Sequence, residues 1–254
     1  MCGFLASSEH RYILCGFAAD RCDQIIPAFV EVARTSAARV QVFHLEQLTI
    51  LVGIIKTLVR KYTIGIFELI SDLWENQSLQ LPLASLVEAL GKALDVEFKP
   101  FLPNVLPLLL KVFDNDMNDK VANTQMKVFN ALLTFGANIE EYLQLFVPIL
   151  VKTFERPDGP LPLRKRAIQT AEGLTRRVNF SDHASRIIHP LVRVLGQPYN
   201  ELRQAAMDCL CAFMLQLGSD FVIFVSTINK VRSCVLYGNS ETNITTSRHL
   251  PSIP

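Results

Sequence analysis

A landmark recurs along the chain about every 40 residues, and this interval restricts the fold more than any other property of the sequence. Two residues, mostly apolar, are followed by proline and then by a short apolar run: Ile25-Ile26-Pro27, Val105-Leu106-Pro107, Phe146-Val147-Pro148 and Ile188-His189-Pro190. Glycine fills the slot in Ile64-Gly65-Ile66, and serine fills it in Phe224-Val225-Ser226. Positions 27, 65, 107, 148, 190 and 226 lie 38, 42, 41, 42 and 36 residues apart. That length accommodates one antiparallel helix pair of the HEAT or armadillo kind. One pair cannot bury its own apolar faces, so such pairs stack in series.

The apolar periodicity supplies both helices. In the third unit Val105, Leu109 and Val112 form a stripe with Leu106, Leu110 and Phe113 beside it, the spacing of a helix buried across a wide face. Its partner carries Val121, Val128, Phe129, Leu132 and Leu133, and Asp114 to Asp119 reads as an exposed turn with capping residues. The fifth unit repeats the design, with Ile187, Ile188, Leu191, Val194 and Leu195 on one helix and Leu202, Ala206, Leu210, Phe213 and Leu217 on the other. Gly91, Gly136 and Gly218 fall 26, 29 and 28 residues after their landmarks and read as C-caps of second helices. Arg39, Lys120, Arg164 and Arg203 each open a second helix, 12, 13, 16 and 13 residues after the landmark. Glu155 to Pro162 holds three prolines and an Asp-Gly, and is expected to loop out as a rigid turn. Recurrence of proline at one phase predicts a shared bend or helix start. The fold class is therefore an all-α superhelix: five complete pairs and part of a sixth across residues 23–232, a partly helical N-terminal segment 1–22, and an irregular or disordered tail 233–254.

Composition excludes several classes of function. Half of the 254 residues are hydrophobic and 19% are charged, yet no unbroken apolar stretch reaches the length that spans a bilayer. The best, Val42 to Val59, contains His44, Glu46, Gln47 and Lys56. The apolar excess is therefore assigned to the helical stack, and no transmembrane segment is expected. A net charge of +1 gives no long-range attraction to nucleic acid. Cysteines 2, 15, 22, 209, 211 and 234 lack zinc-site spacing, and Cys209 and Cys211 read as small apolar helix residues. The N-terminus has no basic region ahead of its apolar run, so a reducing, cytoplasmic setting is expected and the sequons at Asn76, Asn179 and Asn243 carry no weight.

Several stretches resemble the HEAT region of target of rapamycin kinases. They are Gly91-Lys-Ala-Leu-Asp-Val-Glu-Phe-Lys-Pro-Phe-Leu-Pro103, Phe135-Gly-Ala-Asn-Ile-Glu-Glu-Tyr-Leu143, Phe180-Ser-Asp-His-Ala-Ser-Arg-Ile-Ile-His-Pro-Leu-Val192 and Glu201-Leu-Arg-Gln-Ala-Ala-Met-Asp208. The resemblance runs from about Asp23 to Val231, in order, within that family's middle HEAT segment. It implies a scaffold that supports dimerisation with a second kinase protomer and contacts a Raptor-type adaptor and an activating small GTPase. For the full-length family it implies a serine/threonine kinase that uses ATP and magnesium, found in the cytoplasm and at lysosomal and other endomembrane surfaces. Met1 to Cys22 and Ser233 to Pro254 depart from the family pattern, as expected of a fragment, a truncated gene product or an alternative isoform.

No catalytic, cofactor-binding or metal-binding residue is assigned. The chain has no Gly-rich loop, no catalytic-loop run and no Asp-Phe-Gly, since Asp220-Phe221 is followed by Val222. Leu90-Gly91-Lys92 ends like a phosphate-binding loop, but Leu86 stands where the first glycine must be. Arg164-Lys165-Arg166 and Arg176-Arg177 spread over several helix faces and read as solvated surface, with one arginine pairing to a neighbouring turn. His183 and His189 fall on different faces, and Trp74 reads as core. The alternative function is a free-standing transport or phosphatase-scaffold solenoid, against which stand the single tryptophan and the lack of an acidic ladder. Because neither end shows a polar cap, poor solubility of the isolated chain is expected.

Overall fold

The computed structural model describes the backbone of residues 8–115 and 118–229, and the side chains of residues 21–37, 39–115 and 118–229. The tail expected from residue 233 lies outside the described residues. Among the described residues there is no strand. Helices α1 (Ser8–Thr35), α2 (Ala38–Ile55), α3 (Thr63–Leu73), α4 (Gln80–Leu94), α5 (Leu102–Lys111), α6 (Asp119–Phe135), α7 (Leu143–Glu155), α8 (Leu161–Thr175), α9 (Ala184–Leu195) and α10 (Asn200–Leu217) alternate as first and second members of five pairs. A helical stretch at 222–229 opens a sixth.

Two compact units divide the chain, Met1–Asn138 and Ile139–Pro254. In the first, α1, α3 and α5 pack in one row and α2, α4 and α6 in another. In the second, α7 packs on α9, α8 packs on α10, and each pair closes on itself. Within each unit a helix is thus shielded sideways by its counterpart in the neighbouring pair, which is why its apolar face is wider than a coiled-coil seam. Val105, Leu106 and Leu109 are buried in α5, Val112 in the 3-10 turn that follows it, and Val121, Val128, Phe129 and Leu132 in α6, as their spacing predicts.

Second helices end on a shared corner. Lys56, Asp95, Gly136 and Gly218 follow α2, α4, α6 and α10 with φ of 49, 49, 55 and 55° and ψ of −123, −115, −128 and −121°. Each starts a 3-10 turn and is followed three residues later by a buried apolar side chain: Val59, Phe98, Ile139 and Phe221. Gly136 and Gly218 are the caps expected of them, but Gly91 is not. It lies inside α4, where a Cβ would stand 3.0 Å from Phe135 Cε1, so its lack of a side chain lets α4 approach α6. The cap of α4 is Asp95, four residues on. A non-glycine residue at this φ is strained by about 1–3 kcal/mol. We expect Asp95→Gly to stabilise the protein by about 1 kcal/mol and Gly136→Ala to destabilise it by about 1–2 kcal/mol, read from urea midpoints.

A side chain from the first two turns of a second helix also seals the end of the first. Gln41 Nε2 donates to the Ala33 and Arg34 carbonyls (3.1 and 3.3 Å), Gln80 Nε2 to Trp74 (3.2 Å), Gln125 Nε2 to Val112 (3.2 Å) and Arg164 Nε to Phe154 (2.9 Å). All four side chains are buried, and each satisfies a carbonyl that the first helix leaves without an intrahelical donor. Of the basic residues marked from sequence, only Arg164 acts in this way. Arg39 and Lys120 are exposed, and Arg203 bonds to Asn200 within its own helix. Glutamine does the same task because one amide N–H suffices and no charge needs to be buried.

The recurring prolines are internal to their helices. Pro107, Pro148 and Pro190 are the sixth, sixth and seventh residues of α5, α7 and α9, and Pro27 lies deep within α1. They share an internal helix position and do not mark a start. The turn before α8 is tighter than expected: it covers 156–160, with Glu155 still in α7 and Leu161-Pro162 opening α8, where proline needs no N–H. Asn118 caps α6 by accepting from the Val121 N–H at 2.9 Å.

Candidate interaction surface

The residues that a sequence search flags for chemistry are occupied with structure. Gly91-Lys92 lies within α4, where backbone amides bond along the helix and cannot cradle a phosphate. Phe221 of Asp220-Phe221 is buried beneath the α10 corner. Lys165 pairs with Glu201 (2.8 Å) and Arg176 with Glu172 (2.9 Å), while the buried Arg164 also donates to Gln197 in the turn after α9. The basic cluster is thus spent on the helices around it. His189 lies edge-on to Phe224. Among the described residues no three His, Cys, Asp or Glu side chains gather as a metal set. Trp74 is buried, as is Cys209, whose thiol burial pushes well above its ordinary pKa; Cys211, however, is exposed on the outer side of α10.

Two of the sequons have a structural use that sequence reasoning missed. Asn76 Oδ1 accepts from both the backbone N–H and the hydroxyl of Ser78, and Asn179 Oδ1 does so from Ser181. Asn-x-Ser closes an Asx turn between helices in both places. Nearby, Gln216 of α10 donates to the carbonyls of Thr175 and Val178 (both 2.6 Å) and accepts from the Phe180 N–H (3.0 Å), satisfying the linker after α8.

Neighbouring pairs are joined by ion pairs whose partners are one repeat apart. Asp23 meets Lys61, Arg34 meets Asp72, Arg60 meets Glu97 and Glu75 meets Lys111 in the first unit; Glu155 meets Arg193 and Lys165 meets Glu201 in the second. Tyr62 also donates to Asp23, and burial together with that carboxylate pushes the phenol up to about 12.

The surface facing outward from α2, α4 and α6 holds a cleft of about 470 Å³, lined by residues of all three helices. Glu88 is buried at its base, paired with Lys92 in the next turn and with Lys127 of α6 (2.8 Å). Burial raises the Glu88 pKa, but the hydrogen bonds and charges of Lys127 and Lys92 outweigh it and hold the carboxyl below its usual range. Its stabilising contribution is therefore complete above the unfolded value of about 4.3 and fades as pH falls through the lower folded value. Glu88→Gln should cost about 1–2 kcal/mol at neutral pH, and the difference from the parent should shrink as pH falls below the unfolded carboxylate value, measured by urea unfolding at neutral and acidic pH. On the opposite wall, Gly53 of α2 is exposed, with no atom within 4 Å of where its Cβ would stand. Glycine there costs the helix about 1 kcal/mol relative to alanine.

Exposed apolar side chains occur on several helices and recur along two of them, α2 and α10. Phe43, Ile50 and Ile54 form a stripe along α2, and Met207, Met214 and Leu215 lie on α10, followed by Val222 and Ile223. Two helical runs, Arg39–Leu73 and Asn200–Asn229, are long and apolar enough to cross a membrane by length and composition, which a search for unbroken apolar stretches does not find. Neither is one uninterrupted α-helix: the first turns at Lys56 and the second at Gly218.

Comparison with known proteins assigns the repeats. Residues 69–252 match the family described as "Stalled ribosome sensor GCN1-like, HEAT repeats". The chain is 44% identical over 209 residues to serine/threonine-protein kinase tor1 of Schizosaccharomyces pombe, a match covering 82% of this chain and 9% of the relative. It is 37% identical over 208 residues to serine/threonine-protein kinase TOR2 of Saccharomyces cerevisiae, covering 82% and 8%, and 37% identical over 215 residues to serine/threonine-protein kinase mTor of Drosophila melanogaster, covering 82% and 9%. The chain therefore spans less than a tenth of these relatives. Helix pairs stacked in rows, the 40-residue interval and these long matches agree: the chain belongs to the HEAT-repeat family, as a segment homologous to a repeat region of the target of rapamycin serine/threonine-protein kinases.

Proposed function

We propose that this chain is a non-catalytic scaffold segment of a target of rapamycin kinase, acting in nutrient and growth signalling. The observation that carries the reading is the extent of the homology: it covers 82% of the chain yet only 8–9% of each kinase, and it falls on helix pairs. Stacked pairs present long continuous surfaces, and surfaces of this kind bind proteins. On this reading the segment supports dimerisation with a second protomer and contacts a Raptor-type adaptor and an activating small GTPase. It has no kinase activity of its own; ATP and magnesium belong to the catalytic region of the full-length relatives. Its place is the cytoplasm and, with the full-length kinase, lysosomal and other endomembrane surfaces.

Competition tests this reading. The folded chain, added to extracts holding a full-length target of rapamycin kinase, should co-precipitate the adaptor and lower the fraction of dimeric kinase. A folded chain that neither captures adaptor nor disturbs the dimer rules the scaffold role out.

A further inference from the structure

We propose that the cleft between α2 and α4 binds an acidic side chain, a carboxylate or a phosphate ester, carried by an amphipathic segment of a partner protein. Three lysines line it, Lys56, Lys92 and Lys127, against one carboxylate, Glu88. Glu88 is shared between Lys92 and Lys127, and among the described residues Lys56 has no acidic partner. The cleft thus carries an excess of two positive charges at a site walled by low side chains, where an incoming anion is only partly screened.

Helix ends alone explain part of this pattern. Lys56 and Lys92 lie at the C-terminal ends of α2 and α4, where cations offset the helix dipole. The dipole does not account for Gly53. No neighbour needs the absence of its side chain, and the φ of α2 does not require glycine. What Gly53 does is leave the cleft open, facing Ser85 and Ala89 of α4. Nor does it account for lysine at a strained corner that α6 and α10 fill with glycine. The side chain at position 56 is retained at a place where the backbone disfavours one.

The neighbouring surface selects a peptide over a free anion. Ile50 and Ile54, next in sequence to the cleft residues Thr49 and Gly53, are exposed, with Phe43 about two turns before Ile50 on the same stripe. An anion alone leaves that stripe wet. A segment with alternating acidic and apolar residues places charge among the lysines and covers the isoleucines. This deepens the scaffold reading and rests on it only in taking the partner to be a protein.

Fluorescence anisotropy on the full chain tests the proposal directly, without the kinase or adaptor, so its failure is separable from failure of the scaffold role. The probes are fluorescein-labelled peptides of alternating glutamate and leucine, the same peptide with phosphoserine for one glutamate, and a glutamine counterpart. Both acidic peptides should bind about ten-fold or more tightly than the glutamine peptide, and the stronger of the two identifies the preferred acid. Lys56→Gln and Gly53→Leu should each weaken binding by about ten-fold; the leucine enters open space on an exposed helix face, so the fold is retained, as circular dichroism checks. Equal binding of the glutamine peptide, or unchanged binding by folded Gly53→Leu, overturns the proposal. So does displacement of the phosphoserine peptide by an equal concentration of inorganic phosphate, since the apolar stripe would then add nothing.

Discussion

Replacing Phe98 by alanine is expected to destabilise the protein by about 3–5 kcal/mol and to lower the melting temperature by on the order of 10 °C. Phe98 is fully buried at the corner between α4 and α5. Its ring stacks on Phe135 at a centroid distance of 4.7 Å and 16°, and meets Phe67 edge-on at 5.7 Å. Phe67 in turn stacks on Phe101 at 4.2 Å. One ring therefore joins the corners of the second and third pairs, so its removal empties a site that no single helix can collapse to fill. Phe98→Leu retains most of the apolar volume and should lose about 1–2 kcal/mol, the aromatic share. Urea titrations of the two variants decide the matter: a negligible loss for leucine would mean that stacking contributes nothing beyond volume, and losses below about 1 kcal/mol for alanine would mean that the corner is not a packing hub.

Leu109→Ala should cost about 2–5 kcal/mol by leaving a cavity on the buried face of α5. Its second consequence is spatial. In a stack where each pair touches only its neighbours, stability is close to a sum of pair and interface terms. Amides of α5 and α6 should exchange hydrogen faster than in the parent, with those of α8 and α10 changing least. Uniform acceleration at every helix would show that the two units open as one, and would contradict nearest-neighbour stability.

The helix-pair architecture is legible because burial on a wide face writes itself into apolar spacing. Leu109, Val128 and Phe213 could be placed in the core from periodicity alone, and all three are fully buried. Gly136 and Gly218 were legible for a different reason: glycine is the residue that a positive φ favours. The same reasoning misled at Gly91, because a glycine near a helix end is also used for close approach, and sequence does not say which neighbour is near. Asp95 and Lys56 carry no signal of their strained φ. The sealing role of Gln41, Gln80 and Gln125 was hidden for a related reason: a buried glutamine looks like a surface residue until the carbonyl it satisfies is in view. The cleft was not legible at all, since Gly53, Lys92 and Lys127 come from three helices brought together only by stacking.

The ion pairs between neighbouring repeats have an evolutionary corollary. Near the end of the first helix the charge is basic in the first pair (Arg34) and acidic in the second (Asp72), yet a few residues on the second pair offers Glu75 to the basic Lys111 of the third. Each junction thus has its own polarity, although the backbones are near copies. Duplicating the first module in place would set Arg34 against a second Arg34 and turn attraction into repulsion. A single surface pair contributes little, about 0–1 kcal/mol, but the set acts as a lock and key along the array. Recombination between look-alike modules is penalised, and their serial order is inherited as a fixed address.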